Sequence, residues 1–590
     1  MSFHPNDVAR RARNASLVVT GVIAILVSAF FRTQVLEHAQ YTLQSEENRL
    51  REVPLPAPRG IIYDRNREVI AENVPGYSVS LLAPSVDSLR ASLRRLSGTI
   101  QLSPDDIDAA VRRFKRAPNR PTVIVADAPF DVVSVLEEHR VEFPGLVIQS
   151  APKRYYPDGA VVAALVGYTG EITERELASS EYQGYKAGQQ IGKGGLEKEY
   201  ESQLRGREGT RFVEVDARGR VVREAGARAD LLPQAAEPLY TNVDLDLQRY
   251  TAALFGDSLQ GGAIAIDPTT GGVLMLYSAP SYDPNRFIGG IPADYWKQLT
   301  EDTRHPLYNK VIQGAYPPGS TWKLATAVAA LQDGVVTLDD HMPTPCTGGY
   351  QYFNRYFRCW DPHGHGSLSL AQAIEKSCDV YFYQLGLKLG LSRLIAGGVS
   401  LGFREKTGID LPGETRPLFP YAVDYYNRRY GPRGWSNAVT LNLAIGQGEN
   451  SQTVVNMARF YTALATDGMA ARPEIARARP DRSRLFRLTP DQMDGLRKAL
   501  AGVVEAGGTA ASAALQGVML AGKTGSAQNS QDPNRTHAWF VGFAPADNPK
   551  IVVAVLLEFG GHGTRAARIA SSIIAKYLGV VPLREIQTEG

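Results

Sequence analysis

The chain is poor in the features that mark several broad classes of protein. Only three cysteines occur among 590 residues, an odd number and too few for a disulfide framework. The numbers of positive and negative side chains nearly balance, with 64 Lys and Arg against 61 Asp and Glu. The composition therefore does not indicate the clustered basic surface that binding of nucleic acid requires. No segment recurs with the period of a repeat protein. The 44% hydrophobic content instead predicts a globular chain of two or more domains.

One long apolar run lies close to the N-terminus. Residues 15–31 carry no charge and follow three arginines between residues 10 and 13. No small-x-small cleavage site ends the run, so an uncleaved signal anchor is favoured over a cleaved signal peptide. The positive-inside rule then predicts a cytoplasmic tail at 1–14, a transmembrane segment at 15–36 and a chain that continues outside the cytoplasm.

Strand and helix patterns divide the remainder into two blocks. Residues 37–235 predict an elongated, mixed pedestal domain of the dimerisation type, with a small α/β head lobe inserted at 86–142. The second block covers 236–580, and residues 581–590 form a tail. In the second block a hairpin, a long helical middle, three further strands and a closing helix predict a five-stranded antiparallel sheet flanked by helices. The predicted fold class is therefore multidomain α+β.

The second block contains a serine and a lysine three residues apart, Ser320 and Lys323. The preceding Tyr316-Pro-Pro-Gly319 predicts a rigid turn, and the small and aliphatic residues up to Leu331 predict a buried helix. Ser320 then lies at a helix N-terminus, where unpaired N–H groups favour a developing negative charge. The two side chains form a nucleophile–base pair if the amine is neutral. A simple N-cap serine is the alternative.

Two further short motifs follow along the chain. Ser377-Cys378-Asp379 precedes an apolar helical stretch, and Lys523-Thr524-Gly525-Ser526 lies on a predicted strand. Each motif alone is weak. Together, in the order S-x-x-K, S-x-D and K-T-G and in these structural contexts, they indicate a serine acyl-transfer site.

On these motifs the chain resembles the class B penicillin-binding proteins, which are peptidoglycan D,D-transpeptidases. The resemblance covers nearly the whole chain, since it includes the segment at 59–73, Gly194-Gly195-Leu196-Glu197 and residues 444–448. The combination of Tyr-Pro-Pro-Gly-Ser-Thr-Trp-Lys with Ser-Cys-Asp most resembles the elongation-type group, penicillin-binding protein 2. Most family members have asparagine where Asp379 stands, so the amide donor is missing here and the contribution of this position to substrate binding is open.

The resemblance implies a role for each motif residue. Ser320 attacks a D-Ala–D-Ala bond, forms an acyl ester and releases D-Ala, with neutral Lys323 as the general base. Ser377 bridges the two lysines, and Lys523 and Thr524 bind the terminal carboxylate. The remaining implied site residues are Asp379, Gly525 in substrate binding, and the backbone N–H groups of Ser320 and Ser526 as the oxyanion hole.

The function implied is crosslinking of peptidoglycan stem peptides during cell-wall elongation by a serine-type transpeptidase, in the broad class of the D,D-carboxypeptidases. The implied location is the bacterial inner membrane, with the catalytic domain in the periplasm. Implied partners are a polytopic glycan polymerase of the SEDS type and other elongation proteins, and β-lactams are the implied inhibitors. A septal-type transpeptidase, or a mainly activating subunit of the polymerase, stays open as an alternative. No motif positions a deacylating glutamate, which disfavours a β-lactamase.

The three cysteines all lie in one short window around the second motif. Cys346, Cys359, His365 and Cys378 supply three thiols and an imidazole, a set that suits a closed, structural, tetrahedral zinc site. Turn-forming residues surround them, as a loop held by a metal requires. The sequence therefore predicts structural zinc. In one alternative, His363 or Asp361 is a metal ligand. In the other, Cys346 and Cys359 form a disulfide.

Overall fold

The structure is a computed structural model that describes residues 5–38, 50–118, 120–216, 221–223, 229–529 and 535–583. The first residues of the expected cytoplasmic tail and residues 584–590 of the expected C-terminal tail lie outside these ranges. The helices are α1 (Pro5–Phe31), α2 (Val86–Leu96), α3 (Pro104–Arg116), α4 (Phe130–Glu138), α5 (Ala163–Val166), α6 (Glu174–Leu177), α7 (Gly195–Glu199), α8 (Glu201–Leu204), α9 (Leu245–Phe255), α10 (Ala293–Glu301), α11 (Lys323–Gln332), α12 (Leu370–Glu375), α13 (Asp379–Leu389), α14 (Leu391–Ser400), α15 (Asp424–Tyr430), α16 (Val439–Ala444), α17 (Val454–Ala465), α18 (Pro490–Gly502) and α19 (Gly563–Leu578).

The strands are likewise numbered in chain order. They are β1 (Leu50–Leu55), β2 (Ile62–Tyr63), β3 (Val69–Leu81), β4 (Thr122–Val125), β5 (Leu146–Tyr155), β6 (Thr169–Glu171), β7 (Gln190–Gly192), β8 (Gly209–Val215), β9 (Val221–Arg223), β10 (Leu239–Tyr240), β11 (Gly261–Ile266), β12 (Val273–Ala279), β13 (Gly349–Tyr352), β14 (Arg355–Arg358), β15 (Met469–Ala471), β16 (Arg482–Arg484), β17 (Ala521–Gln528), β18 (Thr536–Ala544) and β19 (Ile551–Leu557).

A five-stranded sheet with the order β12-β11-β19-β18-β17 forms the centre of the C-terminal half. All its neighbouring strands pair antiparallel. Every residue of β19 is buried, because α19 and α17 both pack against it, and this explains its unbroken run of apolar residues. The predicted α+β fold with a five-stranded antiparallel sheet is confirmed.

The strand β17, which carries Lys-Thr-Gly, lies at one end of this sheet. It pairs with β18 on one side, from Ala521↔Phe543 to Gln528↔Thr536. No described strand pairs with its other side. The sheet therefore presents a free edge in the neighbourhood of the first catalytic motif, and this edge is the main contribution of the fold to the site.

The N-terminal half is mixed and contains an inserted lobe. Its longest pairing joins β3 and β5 antiparallel, from Glu72↔Tyr155 to Leu81↔Leu146. Helices α2, α3 and α4 form the lobe at the far end of this ribbon, and they bury a separate apolar core that also contains Val79 and Leu81 of β3. At the other end of the N-terminal half, residues such as Ile62 belong to the same apolar core as the five-stranded sheet.

Helix α1 continues through a wider helical turn at Arg32–Leu36. The stretch Ala9–Leu36 is long and apolar enough to cross a membrane, and none of its most apolar window is buried in the protein. A signal sequence near an N-terminus has the same properties. By length and composition, the helix agrees with the predicted single membrane anchor.

A buried group of ions ties the N-terminal half together near its junction with the C-terminal half. Glu197 on α7 has no exposed surface and accepts from Arg154 Nε at 2.5 Å and from Arg59 Nε at 3.0 Å. Arg59 also pairs with Glu201 at 2.8 Å, and Arg154 donates to the Gly60 carbonyl. Burial opposes the charged carboxylate, but Arg154 and Arg59 outweigh it, so the pKa of Glu197 lies below its usual value.

We expect the substitution Glu197→Gln to lower the free energy of unfolding by about 3–5 kcal/mol, because it leaves two buried guanidiniums without their shared counter-charge. The ion group stabilises the wild type at pH values above the pKa of the unfolded carboxyl, and this stabilisation is lost as the pH falls through the lowered folded value. Thermal melting of the detergent-solubilised chain between neutral and acid pH measures both effects. Glu199→Gln, an exposed carboxylate on the same helix, is the matched control. A Glu197→Gln variant that melts with the wild type would contradict the structural role.

Candidate active site

Ser320 lies in the first turn of the predicted helix. Gly319–Trp322 form a single 3₁₀ turn that continues directly into α11. The turn requires glycine at 319, because its φ is +52° and an added Cβ would lie 3.0 Å from the Ser526 carbonyl oxygen. The residues before it are fixed in turn, since the Trp539 indole donates to the Pro317 carbonyl at 3.0 Å. The nucleophile candidate is thus held against strand β17 by close backbone packing.

Lys323 points into the interior and meets the second motif. Its side chain has no exposed surface, and Nζ donates to the Ser377 carbonyl at 2.7 Å and to Ser377 Oγ at 3.2 Å. Ser377 adopts a left-handed backbone conformation with φ of +53°, which is uncommon for a non-glycine residue. This conformation presents both the carbonyl and the hydroxyl of one residue to the Nζ atom of Lys323.

Asp379 contacts both the helix that carries Lys323 and the loop that contains Trp360. One carboxylate oxygen lies 2.8 Å from Lys323 Nζ, and the other accepts from the Trp360 backbone N–H at 3.0 Å. An asparagine amide can supply neither the charge for Lys323 nor a second acceptor oxygen. Aspartate at 379, where most family members have asparagine, therefore forms a charged bridge between Lys323 and the backbone of Trp360.

The third motif brings a second buried lysine. Lys523 has no exposed surface and donates to the Thr524 carbonyl at 3.2 Å. Burial, and next the charge of Lys323, lower the pKa of Lys523 well below its usual value, whereas Asp379 raises it. Thr524 Oγ1 lies 2.8 Å from Thr509 Oγ1. A ligand in the cleft can therefore contact the two threonine hydroxyls but not the buried Lys523 side chain.

The motifs meet in one open cleft of about 940 Å³. The predicted residues that line it are Ser320, Cys359, Ser377, Asp379, Thr524, Gly525 and Ser526. Its other walls come from residues that the motif argument missed, namely Arg355, Tyr356, Phe357, Arg358, Trp360, Tyr383, Asn442, Ile445, Gln447, Thr509, Gln528, His562 and Thr564. No short pattern marks these positions, because distant loops bring them together. The segment at 444–448, noted for its resemblance to the family, gave the only sequence signal among them.

The predicted zinc ligands also come together. The ligand atoms of Cys346, Cys359, His365 and Cys378 all lie within 4.8 Å of one another, and His365 Nδ1 lies 3.6 Å from the sulfurs of both Cys346 and Cys359. All three cysteines are free thiols in the structure, so the alternative disulfide is not formed. The alternative ligand His363 points away, since its side chain is 93% exposed and lies beside Asp361.

The cluster closes the base of the hairpin formed by β13 and β14. Cys346 pairs with Gly366 across the loop, and the Cys359 N–H donates to the Gly348 carbonyl at 2.9 Å. Gly348 has a φ of +96°, and an added Cβ would lie 2.2 Å from a backbone oxygen. A hydrogen bond from Cys378 lowers the pKa of the Cys359 thiol to about 5, which favours a thiolate among the four groups.

Comparison with known proteins agrees with this geometry. The family model of the penicillin-binding protein transpeptidase domain matches residues 261–576, and that of the penicillin-binding protein dimerisation domain matches residues 54–236. The chain therefore belongs to the penicillin-binding protein transpeptidase family.

Within that family the similarity is to the penicillin-binding protein 2 group. The peptidoglycan D,D-transpeptidase MrdA of Acinetobacter baumannii is 32% identical over 94% of this chain and 85% of its own length. The PBP2 chain of a Helicobacter pylori complex with MreC superposes with a TM-score of 0.79 at 29% identity, over 90% of this chain and 99% of its own. A chain from a peptidoglycan synthase complex that coordinates polymerisation and crosslinking superposes with a TM-score of 0.71 at 29% identity, over 98% and 100% of the two chains.

We expect Asp379→Asn to move the alkaline fall of the acylation rate to lower pH, because this carboxylate raises the pKa of Lys523, the residue expected to supply positive charge to the ligand carboxylate, and its removal withdraws that effect. The pH profile of the second-order rate constant for acylation by a fluorescent penicillin measures the change. Asp333→Asn, an exposed carboxylate at the end of the same α11, is the control. A profile that stays in place or moves to higher pH would contradict the bridge between Asp379 and the lysines.

Proposed function

We propose that this chain crosslinks peptidoglycan stem peptides during cell-wall elongation by a serine acyl-enzyme mechanism. The observation that carries the proposal is one serine at the N-terminus of a helix, facing a cleft, with two buried lysines and Ser377 behind it. The family membership and the similarity to transpeptidases named MrdA support the elongation-type assignment. We propose the same division as the sequence predicted, with an anchor at 15–36, a pedestal at 37–235 and a transpeptidase domain at 236–580.

In the first half-reaction Ser320 Oγ attacks the carbonyl carbon between the two D-alanines of the donor. Its proton passes to Lys323 as the general base, and the resulting ammonium is stabilised by the Asp379 carboxylate at 2.8 Å. Backbone N–H groups of Ser320 and Ser526 stabilise the oxyanion. The C–N bond then breaks, Ser377 relays a proton to the leaving amine, and D-Ala departs.

In the second half-reaction an amine of a neighbouring stem peptide attacks the ester carbon and loses a proton, while Ser320 Oγ regains one. The donor peptide is positioned as an added strand along the free edge of β17. The hydroxyls of Thr524 and Thr509, 2.8 Å apart, bind the terminal carboxylate before D-Ala leaves. Lys523 contributes its charge from below the surface.

We expect Ser320→Ala to abolish covalent labelling by fluorescent penicillin, because no other group in the proposal can form the acyl ester. Gel fluorescence of the membrane-embedded chain measures the labelling, with Ser392→Ala, an exposed serine on α14, as the control. Persistent labelling of Ser320→Ala would overturn the serine mechanism. The alternative role as an activating subunit predicts that this variant still stimulates the polymerase.

We propose that a structural zinc ion is held by Cys346, Cys359, His365 and Cys378. Zinc bonds of about 2.0–2.3 Å in a tetrahedron separate nitrogen and sulfur ligands by roughly 3.6 Å, and this is the separation of His365 Nδ1 from two of the sulfurs. The four groups are mostly buried, as a closed site requires. The metal would cross-link the loop and would take no direct part in the acyl transfer, which the motif residues carry out.

We expect His365→Ala to lose bound zinc, lower the melting temperature and slow acylation, because the base of the hairpin beside the cleft is then held by fewer ligands. Metal analysis of the purified chain is the direct measurement. His363→Ala, two residues away with an exposed side chain, serves as the matched control and is expected to behave as wild type. Equal metal content in the two variants, or none in the wild type, would contradict the zinc site.

The location and partners follow from the anchor and the relatives. We propose a single span with residues 1–14 in the cytoplasm and the catalytic domain in the periplasm, in accord with the apolar helix at Ala9–Leu36 and the arginines that precede its apolar part. The relative solved with MreC and the one solved in a peptidoglycan synthase complex support an elongation protein and a SEDS-type glycan polymerase as partners. β-Lactams are the proposed inhibitors, since they acylate the same serine.

A further inference from the structure

A second cavity lies between the two halves of the chain, apart from the catalytic cleft. Its volume is about 360 Å³, within the range of small-molecule sites, which often lie where domains meet. One wall comes from the N-terminal half, around α5 and the start of α7, and the other mainly from residues between 278 and 313 of the C-terminal half. None of the described residues lines both this cavity and the cleft, so the two are separate sites.

The wall from the N-terminal half is built on a close crossing of two backbones. Gly167 has a φ of +70°, and an added Cβ would lie 2.1 Å from backbone atoms of Gly194. Gly195 has a φ of +56°, and its Cβ would lie 2.3 Å from the Gly167 nitrogen. The Lys193 N–H also donates to the Tyr168 carbonyl at 2.8 Å. The two glycines that only the family resemblance marked in the sequence therefore fix the positions of Tyr168 and Lys193.

Hydrogen bonds hold the wall from the C-terminal half. The Tyr308 hydroxyl donates to the Gln313 carbonyl at 2.7 Å, and the Asn309 backbone N–H donates to Gln313 Oε1 at 2.9 Å. The side-chain amide of Asn309 crosses to the other half and donates to the Ala164 carbonyl at 3.1 Å. The two walls are thus fixed to each other before a ligand binds, which lowers the entropic cost of binding.

Four polar groups of the lining have no partner among the described residues. They are the hydroxyls of Tyr168 and Tyr282, the indole N–H of Trp296 and the ammonium of Lys198. Burial raises the pKa of Tyr282 above its usual value, so its hydroxyl stays protonated and can donate. Tyrosine and tryptophan usually find a hydrogen-bond partner where they are buried. A ligand in the cavity would supply the missing partners.

The charge of the lining has one sign. Lys193 and Lys198 both line the cavity, and no carboxylate occurs among its described lining residues. Lys193 is already paired with Glu176 at 2.5 Å. Lys198 forms no ion pair within the described part of the chain. The cavity therefore offers one uncompensated ammonium to an anion.

These groups fit a saccharide that carries a negative charge. A pyranose ring has an apolar face of C–H groups and a polar edge of hydroxyls. The aromatic rings of Tyr282 and Trp296 can cover the apolar face, while the phenol and indole groups bind the polar edge. Lys198 adds a requirement for an anion. Because an ammonium is a compact point charge without the fork geometry of a guanidinium, it accepts a carboxylate or a phosphate.

We propose that this cavity binds an anionic saccharide, with the sugar ring against Tyr282 and Trp296 and the anion at Lys198. The carboxylate of a muramyl sugar and the phosphate of a glycosyl phosphate share this chemistry, and naming them as sources rests on the proposed function in peptidoglycan synthesis. The site goes beyond the proposed acyl transfer, because its ligand contacts neither Ser320 nor the edge of β17. A ligand that touches both walls also stabilises the contact between the two halves.

The test uses the full-length chain in detergent, acylated first by penicillin so that the catalytic cleft is blocked. The sugars are N-acetylmuramic acid, the anomeric phosphate of N-acetylglucosamine, and neutral N-acetylglucosamine, with acetate and inorganic phosphate as anions without a ring. Saturation-transfer NMR measures Kd, and thermal melting measures stabilisation. The variants are Lys198→Ala, Lys198→Arg and Trp296→Ala. Lys297→Ala, an exposed lysine next to Trp296 but outside the cavity, is the matched control.

We expect an anionic sugar to bind the acylated chain roughly fivefold more tightly than the neutral sugar, the effect of a partly exposed ion pair, and to raise the melting temperature. Lys198→Ala should remove this preference, Lys198→Arg should keep it, and Lys297→Ala should bind as the wild type does. Trp296→Ala should weaken all three sugars by about three- to tenfold, because the apolar face loses its contact. The tighter of the two anionic sugars identifies the anion as carboxylate or phosphate.

Several results would overturn the inference. One is equal binding of the neutral and the anionic sugars, and another is a preference that survives in Lys198→Ala. Ring-free anions that bind as tightly as the sugars would remove the saccharide, and loss of sugar binding after acylation would place the sugar in the catalytic cleft instead. Failure of penicillin to label the wild type would overturn the proposed function alone, since the lysine and tryptophan variants still locate the sugar.

Discussion

The arrangement of the site depends on one carboxylate, that of Asp379, beside two buried lysines. Lys323 and Lys523 are both without exposed surface, and burial, together with the charge of Lys323, lowers the pKa of Lys523 well below its usual value. Asp379, 2.8 Å from Lys323, is the counter-charge that makes this pair tolerable, and its second oxygen is used by the Trp360 backbone. Asp379 therefore both compensates the charge of the lysines and holds the backbone of Trp360, which follows the β13–β14 hairpin in the chain. A change in the hairpin can therefore reach Lys323 through one hydrogen bond and one ion pair.

Close backbone contact supplies the second constraint. The turn at Gly319 approaches Ser526 so closely that a Cβ would lie 3.0 Å from its carbonyl oxygen, and Gly525 approaches Pro318 equally closely from the strand side. Helix and strand are thus held in close backbone contact before any substrate arrives, as the two N–H donors of the proposed oxyanion hole require. The five-stranded sheet serves the site chiefly by ending at β17 and leaving that edge available.

The N-terminal half is connected to this site by packing as well as by sequence. Its buried ions at Glu197 hold strands and short helices that share the main apolar core, whereas the lobe built on α2, α3 and α4 has a core of its own. A lobe with a separate core can carry a binding surface whose shape does not depend on the catalytic centre. The cluster of Cys346, Cys359, His365 and Cys378 differs from the lobe, because its three cysteines belong to the main apolar core and Cys359 lines the cleft.

The sequence by itself determined the family, the order of the motifs and the five-stranded sheet, because turn, helix and strand patterns are local and the motif residues are fixed in type by their chemistry. It also selected the four Cys and His residues that lie together, since those residue types bind metal and few others were available. It did not determine that Lys523 is sealed from the cleft, that Asp379 bridges Lys323 to Trp360, or that Thr509 lies beside Thr524. It also left open whether His363 or His365 faces the thiols. These features depend on burial and on contacts between segments far apart in the chain, and only the tertiary structure decides which side chains lose their water and which neighbours replace it.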